Sequence, residues 1–149
     1  MKVEGKTTLP APRERVWDLL TDPEQLAKLL PGCERLEPDG PDRFKVSVKF
    51  GVAAITGKYA GSVALADQKK PESLRMVVEG KGTPGFMKGE GRIELHEAKG
   101  QTELSYSGEA HVGGLIASVG QRMIEVTAKR IIQQFFESAA AELKKSAAK

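Results

Sequence analysis

The feature of this sequence that most constrains its fold is a late change in hydrophobic period. From about residue 44 to residue 110, apolar and polar residues alternate, which is typical of strands with one buried and one solvated face. From about Gly114 to Lys144, apolar residues recur three and four positions apart, which predicts one amphipathic helix about 45 Å long. A sheet and a helix of this kind bury one another. The two patterns therefore predict a curved sheet wrapped around a long C-terminal helix.

Short turns separate the alternating segments, and successive strands joined in this way predict an antiparallel meander. Turns are expected at Gly51 to Ala54, at Asp67 to Pro71 and at Lys99-Gly100. The predicted strands cover residues 44–50, 55–65, 74–78, 87–95 and 102–110.

The N-terminal part predicts a strand followed by two short helices. The strand spans Lys2 to Leu9, and the first helix runs from about Arg13 to Leu20. In Asp22-Pro23-Glu24-Gln25, Asp22 is a helix cap, Pro23 suits the first helical position and Gln25 completes a capping box. Pro31-Gly32 ends this second helix. The whole chain, residues 1–149, is expected to form one α+β domain.

Composition excludes several classes of protein. Lys and Arg total 23 against 20 Asp and Glu, and this small, scattered excess does not indicate nucleic-acid binding. The single cysteine, Cys33, excludes an internal disulfide framework, and a packing role suits it better than a nucleophilic one. His96 and His111 are placed roughly 30 Å apart on the outer face of the sheet, so no metal site is expected.

No apolar run reaches the roughly 18 residues of a membrane span, and the N-terminus lacks a leader pattern. We therefore expect a soluble cytoplasmic protein. Asparagine is absent, which is typical of proteins selected for heat resistance and favours a thermophilic source.

Four motifs carry a resemblance to a known family. The segment from Ala11 to Leu20 resembles the first helix of the START and Bet v 1-like (SRPBCC) superfamily, whose members have the helix-grip fold. Three further motifs are similar to the branch formed by CoxG, an accessory protein of carbon monoxide dehydrogenase: Asp22-Pro23-Glu24, Leu30-Pro31-Gly32-Cys33-Glu34 and the segment from Val112 to Gly120. The resemblance covers nearly the whole chain.

The resemblance implies a non-enzymatic accessory protein without a cofactor of its own. Members act beside molybdenum-containing carbon monoxide dehydrogenases and related enzymes, help to place them at the membrane, and hold a hydrophobic molecule such as a quinone or a lipid. Longer members carry a C-terminal tail suited to membrane attachment. In this chain, Lys144, Lys145 and Lys149 either favour an anionic membrane surface or complement the helix C-terminus, and we favour the second interpretation.

The candidate ligand site is the interior of the grip. Glycines at inward positions either leave room for a ligand or allow the sheet to bend, and both interpretations stay open. Tyr59 and Tyr106 are the inward aromatic residues with a polar tip, and their hydroxyls bond a ligand carbonyl, a backbone group or water. The predicted ligand-binding residues are Tyr59, Tyr106, Met76, Met87, Gly57, Gly61, Gly89, Gly91, Ile116, Val119, Gly120 and Met123.

The sequence leaves two other functions open. One is a polyketide cyclase or dehydratase-like enzyme that acts on a hydrophobic substrate in the same cavity. It would need an inward carboxylate, such as Glu90 or Glu109 after a register shift of one residue. The other is a module that docks a redox enzyme without any ligand, which a solidly packed core would favour.

Overall fold

A computed structural model describes residues 1–51 and 56–147 of the chain. Within them, seven strands form one antiparallel sheet in the order β1-β7-β6-β5-β4-β3-β2. The strands are β1 (Lys2–Leu9), β2 (Cys33–Pro38), β3 (Arg43–Phe50), β4 (Gly57–Lys69), β5 (Ser73–Gly82), β6 (Gly85–Ala98) and β7 (Gln101–Gly113). The helices are α1 (Arg13–Thr21), α2 (Pro23–Leu29) and α3 (Gln121–Ala147), with a short 3-10 segment at Leu115–Val119.

This is the predicted α+β helix-grip architecture, with a curved sheet around a long C-terminal helix and two short helices after the first strand. The alternation is confirmed in detail, because odd positions of β4 and β6 and even positions of β3, β5 and β7 face inward. The turn at Lys99-Gly100 is confirmed as a two-residue hairpin loop, and both residues have positive φ. Ile55 and most of the predicted turn before it lie outside the described residues.

The first two helices form where the sequence signals place them. The Asp22 carboxylate accepts a hydrogen bond from the backbone N–H of Glu24 at 3.2 Å, which caps α2. The Gln25 amide donates to the same carboxylate at 3.0 Å, so it bonds the Asp22 side chain and not the Asp22 backbone N–H that a standard capping box uses. The apolar sides of both helices are buried, with Leu26 and Leu29 at 0% exposure.

The structure corrects two expectations about element boundaries. The sequence pattern does not predict strand β2, because Cys33–Pro38 is an edge strand with little buried surface and no clear alternation. The long helix does not begin at Gly114. Gly114 and Gly120 have φ of 82° and 98°, which an α-helix cannot contain, so the chain makes the 3-10 segment first and α3 starts at Gln121. Gly120 therefore precedes the helix and is not inside it.

The apolar core is divided into two clusters. The lower cluster joins α1, α2, the C-terminal half of α3 and one end of the sheet, and Leu20, Leu104 and Leu143 are among its members. The upper cluster contains Phe50, Tyr59 and Ile116, and partly buried Val48, Met87, Val112 and Ile131 pack against it. Helix α3 is thus anchored mainly through its C-terminal half.

We expect the two halves of α3 to respond differently to truncation of an apolar side chain. Leu143 is 1% exposed in the lower cluster, so Leu143→Ala should lower the free energy of unfolding by about 2–5 kcal/mol. Val126 is 58% exposed, so the control Val126→Ala should change it by less than about 0.5 kcal/mol. Urea unfolding followed by circular dichroism measures both, and equal losses would contradict the division of the core.

Candidate functional site

The space between the two clusters is lined by small residues on β6 and β7. Along β6, Met87 belongs to the upper cluster and Ile93 to the lower one, with Gly89 and Gly91 at the inward positions between them. Their cross-strand partners are Ala110 and Gly108 on β7. Four adjacent inward positions therefore carry no side chain larger than a methyl group.

The inward side chains around this gap are partly exposed, although they face α3. Val78 and Met76, which pair with Gly89 and Gly91, are of this kind, and so is Val112 on β7. Inward apolar residues of a closely packed core would be fully buried. The partial exposure therefore indicates a solvent-accessible space between the sheet and the helix, which is the candidate ligand site.

The predicted glycines divide into two groups. A Cβ at Gly61 would overlap the carbonyl oxygen of Glu79 on the neighbouring strand, and Gly57 has a φ of 146°. These two glycines permit close backbone approach and bending. A Cβ at Gly89 or Gly91 would meet its nearest atom at 3.4 Å, which is ordinary contact. The backbone therefore does not require glycine at these two positions, and the absence of side chains leaves space there.

Tyr59 is the polar group that the interior leaves unsatisfied. Its side chain is 3% exposed, and its hydroxyl has no hydrogen-bond partner within the described part of the chain. The ring packs against Phe50 with centroids 5.7 Å apart. Burial raises the pKa of Tyr59, so the hydroxyl stays protonated at neutral pH and is a hydrogen-bond donor. A buried donor without an acceptor is costly, and a ligand oxygen would remove that cost.

Tyr106 does not join Tyr59 in one site. It packs against the lower cluster, where its ring lies 5.3 Å from that of Phe136 on α3. Its hydroxyl lies over Gly5, its partner on β1, at the edge of the sheet. Burial raises the pKa of Tyr106 as well. The two tyrosines therefore lie in different clusters, and of the two only Tyr59 belongs to the upper one.

The remaining predicted residues are placed as follows. Met87 and Ile116 contact the upper cluster beside Tyr59, and Met76 packs against the lower cluster across the gap.

Val119 and Met123 do not face the interior as expected, because they are 45% and 47% exposed. The helical pattern is broken at Gly120, so Val119, in the 3-10 segment before it, does not continue the stripe of α3. Met123 lies in the first turn of α3, before the part of the helix that packs against the lower cluster. The same break places Gly120 at the surface.

Three members of this neighbourhood are absent from the residues predicted from the sequence. Phe50 packs on Tyr59, while Gly108 and Ala110 complete the small-residue gap. The alternating pattern gives all three an inward position, so a signal is present in the sequence. The alternating pattern does not give the cross-strand register, and only that register shows that the small residues of β6 and β7 are neighbours.

Other reactive groups lie away from the interior. Glu90 and Glu109 are paired across β6 and β7 on the outer face, so neither supplies the inward carboxylate that the enzymatic interpretation needs. His96 and His111 are exposed, and no cluster of metal-binding side chains occurs among the described residues. Burial raises the pKa of the Cys33 thiol and disfavours its thiolate, although a backbone hydrogen bond from Arg35 partly opposes this.

Two surface pockets lie on the opposite, outer face of the sheet. The larger has a volume of about 890 Å³ and is lined by side chains of β2 to β6, including Ser47, Ala60 and Ser62. The smaller, of about 390 Å³, lies over β1, β6 and β7. The sequence pattern predicts neither of them.

Comparison with known proteins identifies the family. The sequence profile of CoxG, described as a subunit of carbon monoxide dehydrogenase, matches residues 5–144. The chain belongs to the CoxG family. This match includes all three CoxG-like motifs of the sequence.

Solved structures agree with this assignment. A conserved protein from Geobacillus kaustophilus is 38% identical, with a TM-score of 0.95 over 98% of this chain and 97% of its own. A START superfamily protein from Mycobacterium smegmatis is 12% identical, with a TM-score of 0.74 and 97% of each chain covered. Ara h 8.0201 is 17% identical, with a TM-score of 0.71 over 97% of this chain and 98% of its own.

The last two similarities show the fold alone. No curated protein matches the sequence. Among the described helices, none has the length and apolarity required to cross a bilayer. CoxG membership and the START-like fold together support a protein of the hydrophobic-ligand-binding type, in an accessory rather than a catalytic family.

The two groups of glycines lead to opposite expectations for stability. Gly61→Ala should lower the free energy of unfolding by about 2 kcal/mol or more, because its methyl group overlaps the Glu79 carbonyl. Gly89→Ala should be neutral or stabilising by up to about 1 kcal/mol, because the strand gains β-propensity and the space accepts a methyl group. Thermal and urea unfolding of both variants test this. A large loss for Gly89→Ala would show that Gly89 serves bending as well.

Proposed function

We propose that this CoxG protein binds one hydrophobic small molecule of the quinone or lipid class between the sheet and α3. The proposal rests on the buried, unpartnered hydroxyl of Tyr59 in the upper cluster, together with the gap at Gly89 and Gly91 between the two clusters. A molecule with an apolar body fills the gap, and its carbonyl oxygen accepts the Tyr59 hydrogen bond. No covalent step is involved.

The binding free energy in this proposal comes mainly from desolvation. Each Å² of apolar ligand surface removed from water contributes about 25 cal/mol, and partly exposed Met76, Val78 and Met87 offer apolar surface to cover. Methionine side chains adapt to irregular shapes, which suits a flexible ligand. The Tyr59 hydrogen bond then sets the orientation of the ligand, because a ligand without an acceptor would leave the buried hydroxyl unpaired and would bind more weakly.

The alternatives have weaker support. A cyclase-like enzyme would need an acid or base in the interior, and the register places Glu90 and Glu109 outside. A ligand-free docking module would have a continuous core, whereas the apolar core here forms two clusters.

An apolar surface beside the upper cluster supports contact with a membrane. We define the rim patch as Leu115, Val119, Met123 and Val126, which are 45–72% exposed. Ile116, in the same 3-10 segment, is 2% exposed and packs with Tyr59 and Phe50. The rim patch therefore adjoins the proposed ligand site.

The first part of α3 adds positive charge to the rim patch. Arg122, Lys129 and Arg130 are exposed, and none forms an ion pair with a described residue. Apolar side chains flanked by cations suit the interface of an anionic bilayer, where each positive charge contributes about 1 kcal/mol. In this proposal the hydrophobic ligand passes between the bilayer and the grip at the rim patch. Family membership makes a carbon monoxide dehydrogenase-type molybdenum enzyme the proposed partner that uses the ligand.

The experiment that tests ligand binding is native mass spectrometry of the purified protein, followed by organic extraction and mass identification of released molecules. The expected result is one equivalent of a quinone or lipid, or uptake of one equivalent when a quinone or fatty acid is added. A protein that is empty and also fails to take up either class would contradict the proposal and favour the docking module.

Substitution of Tyr59 should separate binding from stability. Tyr59→Phe removes a buried, unpaired hydroxyl, so the empty protein should keep its stability or gain about 1 kcal/mol. The same change should weaken binding of a carbonyl-containing ligand about threefold to tenfold, because one hydrogen bond is lost. Tyr106→Phe is the matched control, and it should leave binding unchanged. Fluorescence titration with a quinone and urea unfolding give the two readouts.

A second variant tests the location of the ligand. Gly89→Leu should fold and should abolish uptake, because its side chain fills the gap, whereas Ser107→Leu on the outer face of β7 should bind normally. Full binding by a folded Gly89→Leu protein would place the ligand elsewhere.

The rim patch should determine membrane binding. In flotation with vesicles of phosphatidylglycerol and phosphatidylcholine, Leu115→Ser with Val126→Ser should weaken binding at least about tenfold, because apolar surface no longer inserts. Val77→Ser on the outer face of β5 is the control. Vesicles of phosphatidylcholine alone should bind weakly. Equal binding by the double variant and the control would exclude the rim patch as the contact.

A further inference from the structure

The outer face of the sheet carries a groove that the proposed ligand binding does not use. It has a volume of about 890 Å³ and faces away from α3, because most of its lining side chains occupy the outward positions of β3 to β6. Ser47, Ala60 and Ser62 are cross-strand neighbours or near neighbours at its centre, and their small side chains form its floor. Charged side chains stand around this floor.

The charges of the groove are not balanced. Each of its three acidic side chains has an internal partner: Arg35 pairs with Glu37 at 3.4 Å, Arg43 with Asp39 at 3.7 Å and Lys88 with Glu79 at 3.9 Å. Two further lysines of the groove, Lys45 and Lys81, are exposed and form no ion pair with any described residue. The groove thus presents two unneutralised cations at separate points.

The register sets the distance between these two lysines. Lys45 on β3 pairs with Ser62 on β4, and Ser62 pairs with Glu79 on β5, two residues before Lys81. Two strand spacings and two residues along a strand give a Cα separation of about 12 Å. In an extended polypeptide, residues about four positions apart are separated by that distance. Because side chains of an extended chain alternate between two sides, two residues four positions apart point to the same side and can both face the groove.

An aromatic side chain lies beside Lys81 on the next strand. Phe86 pairs with Lys81 across β5 and β6, is 43% exposed, and lines the groove. Its ring lies over Gly113 of β7, where a Cβ would overlap it, so the ring is held against the outer face. From β3 to β6, the groove therefore presents the cation of Lys45, then the cation of Lys81, and then the apolar ring of Phe86.

We propose that this groove binds an extended acidic segment of a partner protein. The segment has two carboxylates four residues apart, one for Lys45 and one for Lys81, followed two residues later by an apolar side chain on Phe86. Charge complementarity and the small-residue floor support a polypeptide lying across the strands. The groove and the interior are on opposite faces of the sheet, so the partner does not compete with the hydrophobic ligand.

The test uses a fluorescein-labelled peptide that repeats Glu-Thr-Val-Thr, with fluorescence anisotropy on the full-length protein at low salt. The wild-type protein should bind this peptide, and should bind the Gln-for-Glu peptide at least about tenfold more weakly. Lys45→Gln with Lys81→Gln should weaken binding about tenfold, whereas Lys45→Arg with Lys81→Arg should retain it. Phe86→Ala should weaken binding a few fold. Lys2→Gln with Lys144→Gln, two exposed lysines outside the groove, is the matched control.

The outcomes decide between partners. Binding that depends on Lys45 and Lys81 and on the glutamates supports the proposal. Equal binding of both peptides, or equal loss in the control variant, overturns it. If oligo-dT or phosphatidylglycerol vesicles displace the labelled peptide at lower concentrations than the unlabelled peptide does, the groove recognises phosphate and the proposal is also overturned. Quinone or fatty-acid uptake by the double Gln variant should be unchanged, so failure of this proposal is distinct from failure of ligand binding.

Discussion

The structure depends on the way in which α3 is held at one end. Ala139 and Leu143 are buried in the lower cluster, together with the apolar sides of α1 and α2. The hydroxyl of buried Thr102 donates to the Ala11 carbonyl at 2.7 Å and ties β7 to the chain entering α1. Most of the buried apolar surface is therefore at this end. The other half of the helix packs only against the small upper cluster, through Ile131. Stability therefore depends little on close packing between the two clusters.

The two clusters of the core differ in how much they contribute to stability. The lower cluster is closely packed, and its largest side chains are excluded from solvent. The upper cluster is small and contains the one buried side-chain hydroxyl that lacks a partner among the described residues, that of Tyr59. A hydroxyl in such a position destabilises the empty protein and favours an occupied state. The polar group that would orient a ligand is therefore held by a cluster that contributes little to folding.

The two faces of the sheet differ in the partners that they suit. The inward face offers apolar side chains and small residues around Gly89 and Gly91, which suit an apolar molecule. The outward face offers charges around a small-residue floor, which suit a charged polypeptide. Since successive residues of a strand point to opposite faces, one set of strands supplies both surfaces. The proposed ligand and the proposed partner would therefore occupy opposite faces and would not exclude one another.

Much of this architecture was predictable because it depends on local periodicity. The period of two from Phe44 to Ala110 and the helical period after Gly120 determined the sheet, its inward positions and the long helix. The capping residue Asp22 and the turn at Lys99-Gly100 determined where elements start or reverse. The edge strand β2 was not predicted, because most of its side chains are exposed and its sequence therefore shows no clear alternation of apolar and polar residues.

The sequence by itself determined which residues face inward, and only the tertiary structure decided which of them meet. Tyr59 and Tyr106 share an inward orientation, yet register and helix packing place them in different clusters. Val119 follows the helical period in the sequence, but Gly120, with its positive φ, separates the segment that contains Val119 from α3, and Val119 is exposed. Met123 is within α3 and is exposed as well, because the first turn of the helix is not covered by either cluster. The physical reason is that periodicity is a property of neighbouring residues. The gap at Gly89 and Gly91, the unpaired Tyr59 hydroxyl and the outer groove instead arise from contacts between strands and helices that are distant in the chain.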